Sequence, residues 1–420
     1  MFETISMIGL GYIGLPTATL FASRKKKVIG VDVNQHAVDT INQGKIHIVE
    51  PELDVLVQKA VADGWLRATT KPEAADAFLI AVPTPFKDGH QPDLSYIESA
   101  AKAIAPVLKK GDLVVLESTS PVGATEQMAA WLAEARADLT FPQQVGEEAD
   151  VQVAHCPERV LPGQVVRELV TNDRVIGGMT QKASAMAVAL YKTFVEGDCI
   201  VTNARTAEMC KLTENSFRDV NIAFANELSM ICDKQGINVW ELIALANRHP
   251  RVNILQPGAG VGGHCIAVDP WFIVASNPDE AKIIRTAREV NDYKPEWVLE
   301  KVKSAIVDVM AKKPGSTMQD IKVACLGLAF KPDIDDLRES PAVAVTKQVA
   351  NLGCQVLAVE PNIENLPEHM LKLQLKHVSF AEALEKADVL CVLVKHKTFI
   401  QDLNNMRNDC FIIDPVGLIN

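Results

Sequence analysis

Three glycines near the N-terminus constrain the fold of this chain more strongly than any other feature. They lie in Gly9-Leu10-Gly11-Tyr12-Ile13-Gly14, which follows an apolar stretch at 4–10 and opens a helix-like stretch at 13–23. Between a strand and a helix, glycines with this spacing permit a tight turn, close approach of a phosphate to the backbone, and close packing of helix on strand. The segment therefore predicts a Rossmann-type nucleotide-binding unit.

The residue that ends the next predicted strand indicates which dinucleotide binds. Asp32 lies in the apolar stretch 27–33, eighteen residues after Gly14. A carboxylate there accepts the ribose 2′-hydroxyl and repels a 2′-phosphate, so we expect NAD rather than NADP. The basic run 24–27 is the argument for NADP, but we interpret it as a cationic helix end that complements the helix dipole. The predicted cofactor-binding residues of this unit are Gly9, Gly11, Gly14 and Asp32.

Strands and helices alternate along two parts of the chain. In the first part, strands at 77–82 and 113–117 flank a helix at 95–108, which indicates a parallel, doubly wound sheet. A long helix at 206–235 then opens an all-helical stretch, and the strand pattern resumes at 321–328. We predict an α/β chain of two doubly wound Rossmann-like parallel-sheet domains joined by a long central helix and a helical middle domain, with domains at 1–203, 204–311 and 317–420.

Composition excludes several classes of protein. The chain has 420 residues, 48% apolar and 23% charged, which is typical of a globular protein, and its net charge of −11 argues against nucleic-acid binding. It has no uncharged apolar run of about eighteen residues, so we expect no membrane partner. Its nine cysteines include no Cys-x-x-Cys pair. We therefore expect neither a metal site nor a disulfide framework, and a cytoplasmic location.

A cysteine lies within a glycine-rich loop at 258–270, which reads Gly-Ala-Gly-Val-Gly-Gly-His-Cys-Ile-Ala-Val-Asp-Pro. Most cysteines are structural, but glycines let a ligand approach this backbone closely, and buried cysteines usually lie in strands or helices. We predict that Cys265 is a nucleophile and that Asp269 acts on the adduct. Together with NAD, this pair predicts an oxidation that passes through a thiohemiacetal on Cys265.

Three polar residues share one face of the predicted long helix. Lys211, Asn215 and Arg218 have the spacing i, i+4, i+7, and Glu208 extends the face by one turn. A solvated surface stripe is the commoner explanation of such spacing. The mostly apolar stretch 220–232 favours a buried helix instead, in which Lys211 stabilises negative charge on a reacting oxygen.

Two further segments follow predicted strands, at the edge where ligands of α/β sheets bind. Glu158, Arg159 and Val160 follow a strand at 151–155, and Thr119 follows the strand at 113–117. The structural alternatives are a loop ion pair for the first segment and a helix cap for Thr119. Five scattered cations are enough to hold a diphosphate, although each alone is explained as surface charge. They are Arg159, Arg218, Arg251, Lys331 and Arg338.

Together these motifs resemble the UDP-sugar 6-dehydrogenase family over nearly the whole chain. The resemblance is carried by G-L-G-Y-I-G at 9–14, S-T-S-P-V-G at 118–123, P-E-R-V at 157–160, K-L-T-E-N-S-F-R at 211–218, G-G-H-C-I-A-V-D-P at 262–270 and G-L-A-F-K-P-D-I-D-D-L-R-E-S-P at 327–341. Several motifs in family order are far more specific than one. The family implies an NAD domain, a helical homodimer core, a C-terminal UDP-binding domain and a UDP-sugar substrate.

The resemblance implies a role for each candidate residue. Cys265 carries the covalent intermediate, Lys211 stabilises the oxyanion, and Asp269 transfers a proton or activates water. The residues expected to assist catalysis are Glu158, Asn215 and Thr119, with Glu158 also a candidate base. The expected substrate-binding residues are Arg159, Val160, Lys211, Asn215, Arg218, His249, Arg251, Gly262, Phe330, Lys331 and Arg338. The expected NAD contacts beyond the three glycines are Tyr12, Ile13, Asp32, Thr84 and Thr125.

The cysteine loop also indicates a branch of the family. It reads Gly-Val-Gly-Gly-His-Cys-Ile, where UDP-glucose dehydrogenases typically have Gly-Phe-Gly-Gly-Ser-Cys-Phe, so the chain is similar to the branch acting on 2-acetamido sugars. Segments 249–253 and 268–271 favour UDP-N-acetylmannosamine as substrate, with UDP-N-acetylglucosamine as the alternative and surface polysaccharide precursors as the destination. Ala259 replaces the loop's usual proline and Val416 replaces a longer polar residue, which leaves the source of loop rigidity open.

Three other functions are weaker on motif grounds. A short-chain nucleotide-sugar epimerase needs Tyr-x-x-x-Lys, which none of the four tyrosines provides. A 3-hydroxyacid dehydrogenase needs neither Cys265 nor a third domain. A non-enzymatic NAD-sensing protein leaves the cysteine loop unexplained, and a lack of NAD reduction with every UDP-sugar would favour it.

Overall fold

The protein is divided into two compact units. The computed structural model describes residues 2–48, 50–161, 163–263, 265–373, 375–400 and 409–419. The units are Met1–Glu214 and Asn215–Asn420, and the boundary between them falls inside one long helix. Within the described ranges, no helix combines the length and apolar character needed to cross a membrane.

The first unit is built around an eight-stranded sheet. Its strands are β1 (Thr4–Ile8), β2 (Lys27–Val31), β3 (Leu66–Thr69), β4 (Ala77–Ile80), β5 (Leu113–Leu116), β6 (Gln152–His155), β7 (Arg174–Gly178) and β8 (Cys199–Asn203). They are ordered β3-β2-β1-β4-β5-β6-β7-β8 across the sheet. The first six are parallel, in the strand order of a doubly wound Rossmann sheet, whereas β7 and β8 run in the opposite direction.

Helices cover both faces of this sheet. They are α1 (Gly14–Ser23), α2 (Gln35–Asn42), α3 (Leu53–Ala62), α4 (Ser95–Ile104), α5 (Ala124–Ala135), α6 (Pro142–Val145), α7 (Val165–Thr171) and α8 (Gln181–Tyr191), and the long helix α9 (Ala204–Gln235) follows β8. Side chains alternate along a strand, so Ile5 and Met7 of β1 enter one core with α1 and α8, while Ile8 enters the other with α4 and α5. Burial on both faces explains the continuous apolar runs of these strands.

The second unit contains helices and a five-stranded parallel sheet, ordered β11-β10-β9-β12-β13. The strands are β9 (Lys322–Leu326), β10 (Gln355–Val359), β11 (Lys376–His377), β12 (Val389–Val392) and β13 (Phe411–Ile413). After α9 the helices are α10 (Val239–Ala246), α11 (Asp269–Ser276), α12 (Lys282–Lys312), α13 (Pro341–Asn351), α14 (Glu368–Leu371), α15 (Phe380–Lys386) and α16 (Lys397–Ile400). Helices α12 and α13 pack on one face of the sheet and α15 on the other. The predicted fold class of two doubly wound sheets and a long central helix is confirmed.

Both sheets use the same turn after their first strand. Gly9 has a φ of 89°, and its N–H donates to the carbonyl oxygen of Val31 at 2.8 Å. Gly327 has a φ of 84°, and its N–H donates to the carbonyl oxygen of Val359 at 2.8 Å. Only glycine adopts such a backbone without strain, so the two turns require glycine at equivalent positions.

An acidic side chain at the end of the neighbouring strand holds each turn. The N–H of Leu10 donates to Asp32 Oδ2 at 2.9 Å, and the N–H of Leu328 donates to Glu360 Oε2 at 2.8 Å. Glu360 is buried, and its Oε2 also lies 3.0 Å from His396 Nε2. Burial opposes ionisation of Glu360, but the hydrogen bonds from His396 and from backbone N–H groups outweigh it and lower its pKa to about 2.

We predict opposite effects on stability for alanine at two glycines of the first turn. A Cβ at Gly14 would lie 1.8 Å from the carbonyl oxygen of Gly9, whereas a Cβ at Gly11 would meet no heavy atom within 4 Å. Gly14→Ala should lower the free energy of unfolding by about 1–3 kcal/mol, and Gly11→Ala by about 0.5 kcal/mol or less. Urea unfolding without cofactor measures both, and equal losses would contradict this packing.

Candidate active site

One edge of the first sheet has the features of a dinucleotide site. A Cβ at Gly9 would lie 2.4 Å from the carbonyl oxygen of Ala81, so internal packing alone requires glycine there. Gly11 is exposed, and its absent side chain would face open space, so no described part of the chain requires glycine there. A phosphate that approaches this backbone closely would require it.

Helix α1 and Asp32 supply the groups that complement a dinucleotide. Helix α1 starts at Gly14, and Ile13 precedes it without a side-chain cap, so the first N–H groups of the helix suit a phosphate. Asp32 is half-buried, and its two oxygens accept single hydrogen bonds from the N–H groups of Leu10 and Asn34, each at 2.9 Å. Each oxygen keeps a lone pair for a ribose hydroxyl. These residues fit NAD.

Two more residues lie at this turn. Tyr12 is 37% exposed, as expected for a cofactor contact. His47 lies against the backbone of Leu10 and within electrostatic range of Asp32. Burial lowers the pKa of its imidazole, and the charge of Asp32 opposes that shift. Sequence reasoning missed His47 because it belongs to no motif and reaches the turn only through the fold.

Side-chain hydrogen bonds join the loops that follow β4 and β5. Thr84 is buried, and its hydroxyl donates to the carbonyl oxygen of Thr119 at 2.5 Å. Ser118 Oγ accepts a hydrogen bond from the N–H of Val82 at 2.9 Å. The structure therefore brings together Thr84, predicted to contact NAD, and Thr119, predicted to assist catalysis, and both ligand contacts stay predictions.

Glu208 of α9 caps the N-terminus of α5. Its Oε1 accepts hydrogen bonds from the N–H and hydroxyl groups of Thr125 at 2.8 and 2.6 Å, and its Oε2 accepts from the N–H of Gly123 at 2.6 Å. Burial raises the pKa of Glu208, while these hydrogen bonds oppose the rise. Thr125 is fully buried, so the structure gives it a capping role, and its predicted contact with NAD stays untested.

Glu158 belongs to a buried cluster of charged groups. Its Oε2 lies 3.0 Å from Nη1 of Arg174, and its Oε1 accepts a hydrogen bond from the N–H of Arg159 at 2.5 Å. Arg174 is the first residue of β7, which runs antiparallel to β6 and pairs with Ala154 and His155 through Gly178 and Gly177. The start of β7 therefore extends past the end of β6, where Arg174 reaches Glu158. The side chains of Glu158 and Arg174 are 8% and 4% exposed. Removal of either partner would therefore leave an uncompensated buried charge, which would destabilise the fold.

Glu117 and Tyr191 complete this cluster. The Tyr191 hydroxyl donates to Glu117 Oε1 at 2.6 Å, and the guanidinium of Arg174 lies 5.2 Å from the centre of the Tyr191 ring. Burial raises the pKa of Glu117 to about 7, against the opposing charge of Arg174. Since one guanidinium cannot neutralise two buried carboxylates, the cluster holds a proton on Glu117 below about pH 7. Sequence reasoning found only Glu158, because sheet topology brings the other members to it.

The loop around Arg159 is tied down at two points. Arg159 Nη2 lies 2.6 Å from Oε1 of Glu214 on α9. Glu50 is buried, and its two oxygens accept the N–H groups of Gly163 at 2.9 Å and Val165 at 2.7 Å. Val160 is half-buried and packs on the core beside α1 and α8. The ion pair expected as the structural alternative is therefore present at Arg159, with Glu214 rather than Glu158 as its side-chain partner.

In the second unit, Cys265 lies one turn before helix α11. Its carbonyl oxygen accepts hydrogen bonds from the N–H groups of Val268 at 3.2 Å and Asp269 at 2.9 Å. Cys265 is exposed, and the other eight cysteines are buried or half-buried, with no disulfide among the nine. The role of Cys265 as a nucleophile stays a prediction.

Asp269 is held by the long helix. Asn215 Nδ2 donates to Asp269 Oδ2 at 2.5 Å, and the two residues are 4% and 3% exposed. Lys211 lies one turn earlier on α9 and is half-buried, whereas Arg218 is exposed. The predicted polar face of the helix is therefore half-buried at Lys211, buried at Asn215 and exposed at Arg218.

The remaining predicted substrate residues lie on loops of the second unit. Phe330, Lys331 and Arg338 belong to the loop between β9 and α13, and His249 and Arg251 follow α10. Arg338 Nη2 lies 2.6 Å from Oδ2 of Asp336. The described residues contain no group of three or more His, Cys, Asp or Glu side chains able to hold a metal ion.

Helix α9 exposes an apolar stripe. Phe217, Phe224 and Ile231 are 71%, 52% and 43% exposed, and they recur every seven residues. The opposite side of the helix is buried, as Asn215 and Asn226 show. The expectation of a buried helix therefore holds for one side only, because the other side displays this stripe.

Comparison with known proteins places these features in one family. Models of the UDP-glucose/GDP-mannose dehydrogenase family match the chain in three parts: its NAD binding domain at 3–195, its central domain at 205–293 and its UDP binding domain at 324–420. The predicted cofactor, NAD, is thereby confirmed.

Individual relatives agree with the family models. A UDP-N-acetyl-D-mannosamine dehydrogenase of Yersinia pestis is 71% identical over 420 residues, 99% of each chain. An NDP-N-acetyl-D-galactosaminuronic acid dehydrogenase of Ralstonia solanacearum is 64% identical over 419 residues, 99% of this chain and 96% of that one. A solved UDP-D-ManNAc dehydrogenase of Pyrococcus horikoshii is 38% identical, with a TM-score of 0.87 over 99% of this chain and 96% of its own. The chain belongs to the UDP-glucose/GDP-mannose dehydrogenase family.

Proposed function

We propose that the chain oxidises UDP-N-acetyl-D-mannosamine at C6 to the uronate, in two oxidations that use two NAD. The observation that carries the proposal is the exposed Cys265 one turn before α11, beside the buried pair Asp269–Asn215, in a chain with NAD- and UDP-binding domains. Identity of 71% to a dehydrogenase named for this sugar supports the choice of substrate.

The mechanism assigns a covalent role to Cys265. The glycine turn and Asp32 would hold NAD, which would supply the hydride acceptor for the C6 hydrogen in each oxidation. After the first oxidation, the Cys265 sulfur adds to the aldehyde carbon, and the carbonyl oxygen takes a proton to give a thiohemiacetal. The second oxidation leaves a thioester, whose C–S bond water cleaves to give the carboxylate and regenerate the thiol. The aldehyde therefore never leaves the enzyme.

Three polar side chains serve these steps. Lys211 stabilises the oxyanion that forms when sulfur or water adds to the carbonyl. Asp269 accepts a proton from the attacking water, and its hydrogen bond from Asn215 fixes the carboxylate for that role. Glu158 is the candidate second base, and Arg174 holds its carboxylate in one position.

The identity of the substrate sugar is the part of the proposal for which the relatives offer an alternative. The Ralstonia solanacearum relative, at 64% identity, is named for a different 2-acetamido sugar acid. UDP-N-acetylglucosamine is the other alternative from the loop sequence. All of these sugars carry a 2-acetamido group, so one mechanism serves each of them.

We also propose a role for each domain, a dimer contact, a cellular location and a pathway. The three predicted domains, 1–203, 204–311 and 317–420, bind NAD, form the homodimer and bind UDP. The apolar stripe Phe217, Phe224 and Ile231 is the dimer contact, because its seven-residue spacing suits a helix packed along a second helix. The enzyme works in the cytoplasm and supplies surface polysaccharide precursors.

Stoichiometry tests the oxidation and the sugar together. We expect two NADH per sugar consumed, with UDP-N-acetylmannosamine the best substrate in a panel with UDP-N-acetylglucosamine, UDP-N-acetylgalactosamine and UDP-glucose. Absorbance at the NADH band with chromatographic quantification of the sugar measures the ratio. One NADH per sugar would refute the covalent mechanism, two with another sugar would change the substrate, and none with any sugar would favour the NAD-sensing alternative.

Replacing the nucleophile tests the covalent step. Cys265→Ser should bind NAD as the wild type does and lose uronate formation by about 10³-fold or more, because the aldehyde is no longer captured. Cys354→Ser is the matched control, since its half-buried thiol donates to the carbonyl oxygen of Val349 at 3.2 Å and a hydroxyl can do the same. Normal turnover by Cys265→Ser would rule out the thiohemiacetal.

A charge on the stripe tests the dimer. Phe224→Asp should raise the dimer dissociation constant by about 100-fold or more, because a desolvated carboxylate would face the partner helix. Val55→Asp is the control, since Val55 is a 64% exposed apolar residue on α3. Light scattering after size exclusion measures both masses, and a dimeric Phe224→Asp would place the contact elsewhere.

A further inference from the structure

Helix α12 contains a proline that its own geometry disfavours. Pro295 lies inside the helix, which runs from Lys282 to Lys312. A proline in a helix interior removes a backbone hydrogen bond and costs about 3 kcal/mol. We therefore expect Pro295 to act through a contact outside the helix.

That contact is with the cysteine loop. A Cβ at Gly260 would lie 2.9 Å from Cγ of Pro295 and 2.8 Å from Cβ of Pro341, the first residue of α13. A side chain at Gly260 would thus collide with both proline rings. Pro295 and Pro341 together are called the proline clamp.

The next two glycines of the loop rest on the same surface. A Cβ at Gly262 would lie 2.6 Å from both the carbonyl oxygen of Glu339 and Cδ of Pro341. A Cβ at Gly263 would lie 2.9 Å from the ring of Phe330. Three of the four residues at 260–263 therefore lie in close contact with the prolines, the backbone of Glu339 or the ring of Phe330.

Buried polar groups fix the start of this loop. The N–H of Gly258 donates to Asn226 Oδ1 at 2.9 Å, and Asn226 Nδ2 donates to Asn291 Oδ1 at 2.9 Å. Asn291 lies one turn before Pro295 on α12, and its Nδ2 donates to Asp219 Oδ1 at 2.8 Å. Helix α12 therefore holds the loop at Gly258 through amides and at Gly260 through the proline ring.

We propose that Pro295 and Pro341 are positioning residues that set the location of the Cys265 sulfur. The loop has Ala259 where a proline would restrict its backbone from within. The proline clamp restricts the loop backbone from outside, because its rings contact that backbone where glycines leave it without side chains. A displacement of about 1 Å at a reacting group costs on the order of 100-fold in rate. The kinetic part of this inference rests on the proposed function.

Two alanine variants distinguish an effect on the position of the Cys265 sulfur from an effect on the stability of the protein. Pro295→Ala removes one ring of the clamp and restores a helical N–H, so its melting temperature should equal or exceed that of the wild type. Pro341→Ala removes the other ring at the first position of α13. For each we expect kcat to fall about tenfold or more, with KM for the UDP-sugar changed less than threefold.

The control is a destabilising change on the same helix. Val345→Ala removes a fully buried side chain of α13 from the core of the second unit. It should lower the melting temperature and leave kcat within about twofold. A fall of kcat in Pro295→Ala without a fall in melting temperature is the result that a merely structural role cannot produce.

A second readout does not depend on sugar oxidation. The rate at which iodoacetamide alkylates Cys265 in the enzyme without ligands, corrected with Cys265→Ser, reports the environment of the thiol. We expect this rate to change at least threefold in both clamp variants and to stay at the wild-type value in Val345→Ala. If the wild type oxidises none of the sugars, the proposed function fails while this measurement still tests the clamp.

The proposal about the proline clamp also has defined negative outcomes. Clamp variants with wild-type kcat and wild-type alkylation rates would overturn the proposal. So would a fall of kcat matched by Val345→Ala, because general loosening of the second unit would then explain it.

Discussion

Buried polar groups on one face of helix α9 fix the cysteine loop, and the proposed chemistry depends on them. Asn215 donates to Asp269 and Asn226 accepts from Gly258, so one helix contacts both ends of the loop. Asp219 lies between these two residues and pairs with α12. Because these groups are out of water, each lost partner leaves a buried polar atom unsatisfied, at a cost of about 1–3 kcal/mol. Hydrogen bonds to α9 therefore restrain the glycine-rich loop at both of its ends.

The two sheets show how one turn serves two purposes. At the first turn Gly11 is exposed and Asp32 keeps lone pairs for a ligand. At the second turn Ala329 takes the place of that glycine, and its N–H already donates to Glu360 at 3.0 Å. The N–H of Ala329 is therefore already satisfied within the protein at the second turn. The predicted contacts of Phe330 and the residues after it with the substrate stay a prediction.

Local motifs predicted much of this structure, and long-range contacts escaped prediction. The glycine turn, Asp32 and the helix at 206–235 follow from spacing and periodicity, which act over a few residues. Arg174 could not be found in this way, because it reaches Glu158 only through the reversed direction of β7. Pro295 likewise belongs to no predicted motif, and only the fold shows that its ring lies close to Gly260.

Ion pairs in this protein divide into two kinds with different consequences for an anionic substrate. Arg159 and Glu214 have side chains that are 32% and 33% exposed, so their pairing contributes about 0–1 kcal/mol and yields readily to a stronger anion. Arg174 and Glu158 are 4% and 8% exposed, and separating them would leave an uncompensated buried charge. Under the proposed function, a diphosphate would recruit Arg159 by displacing the carboxylate of Glu214, while Arg174 would keep Glu158 fixed as the candidate base.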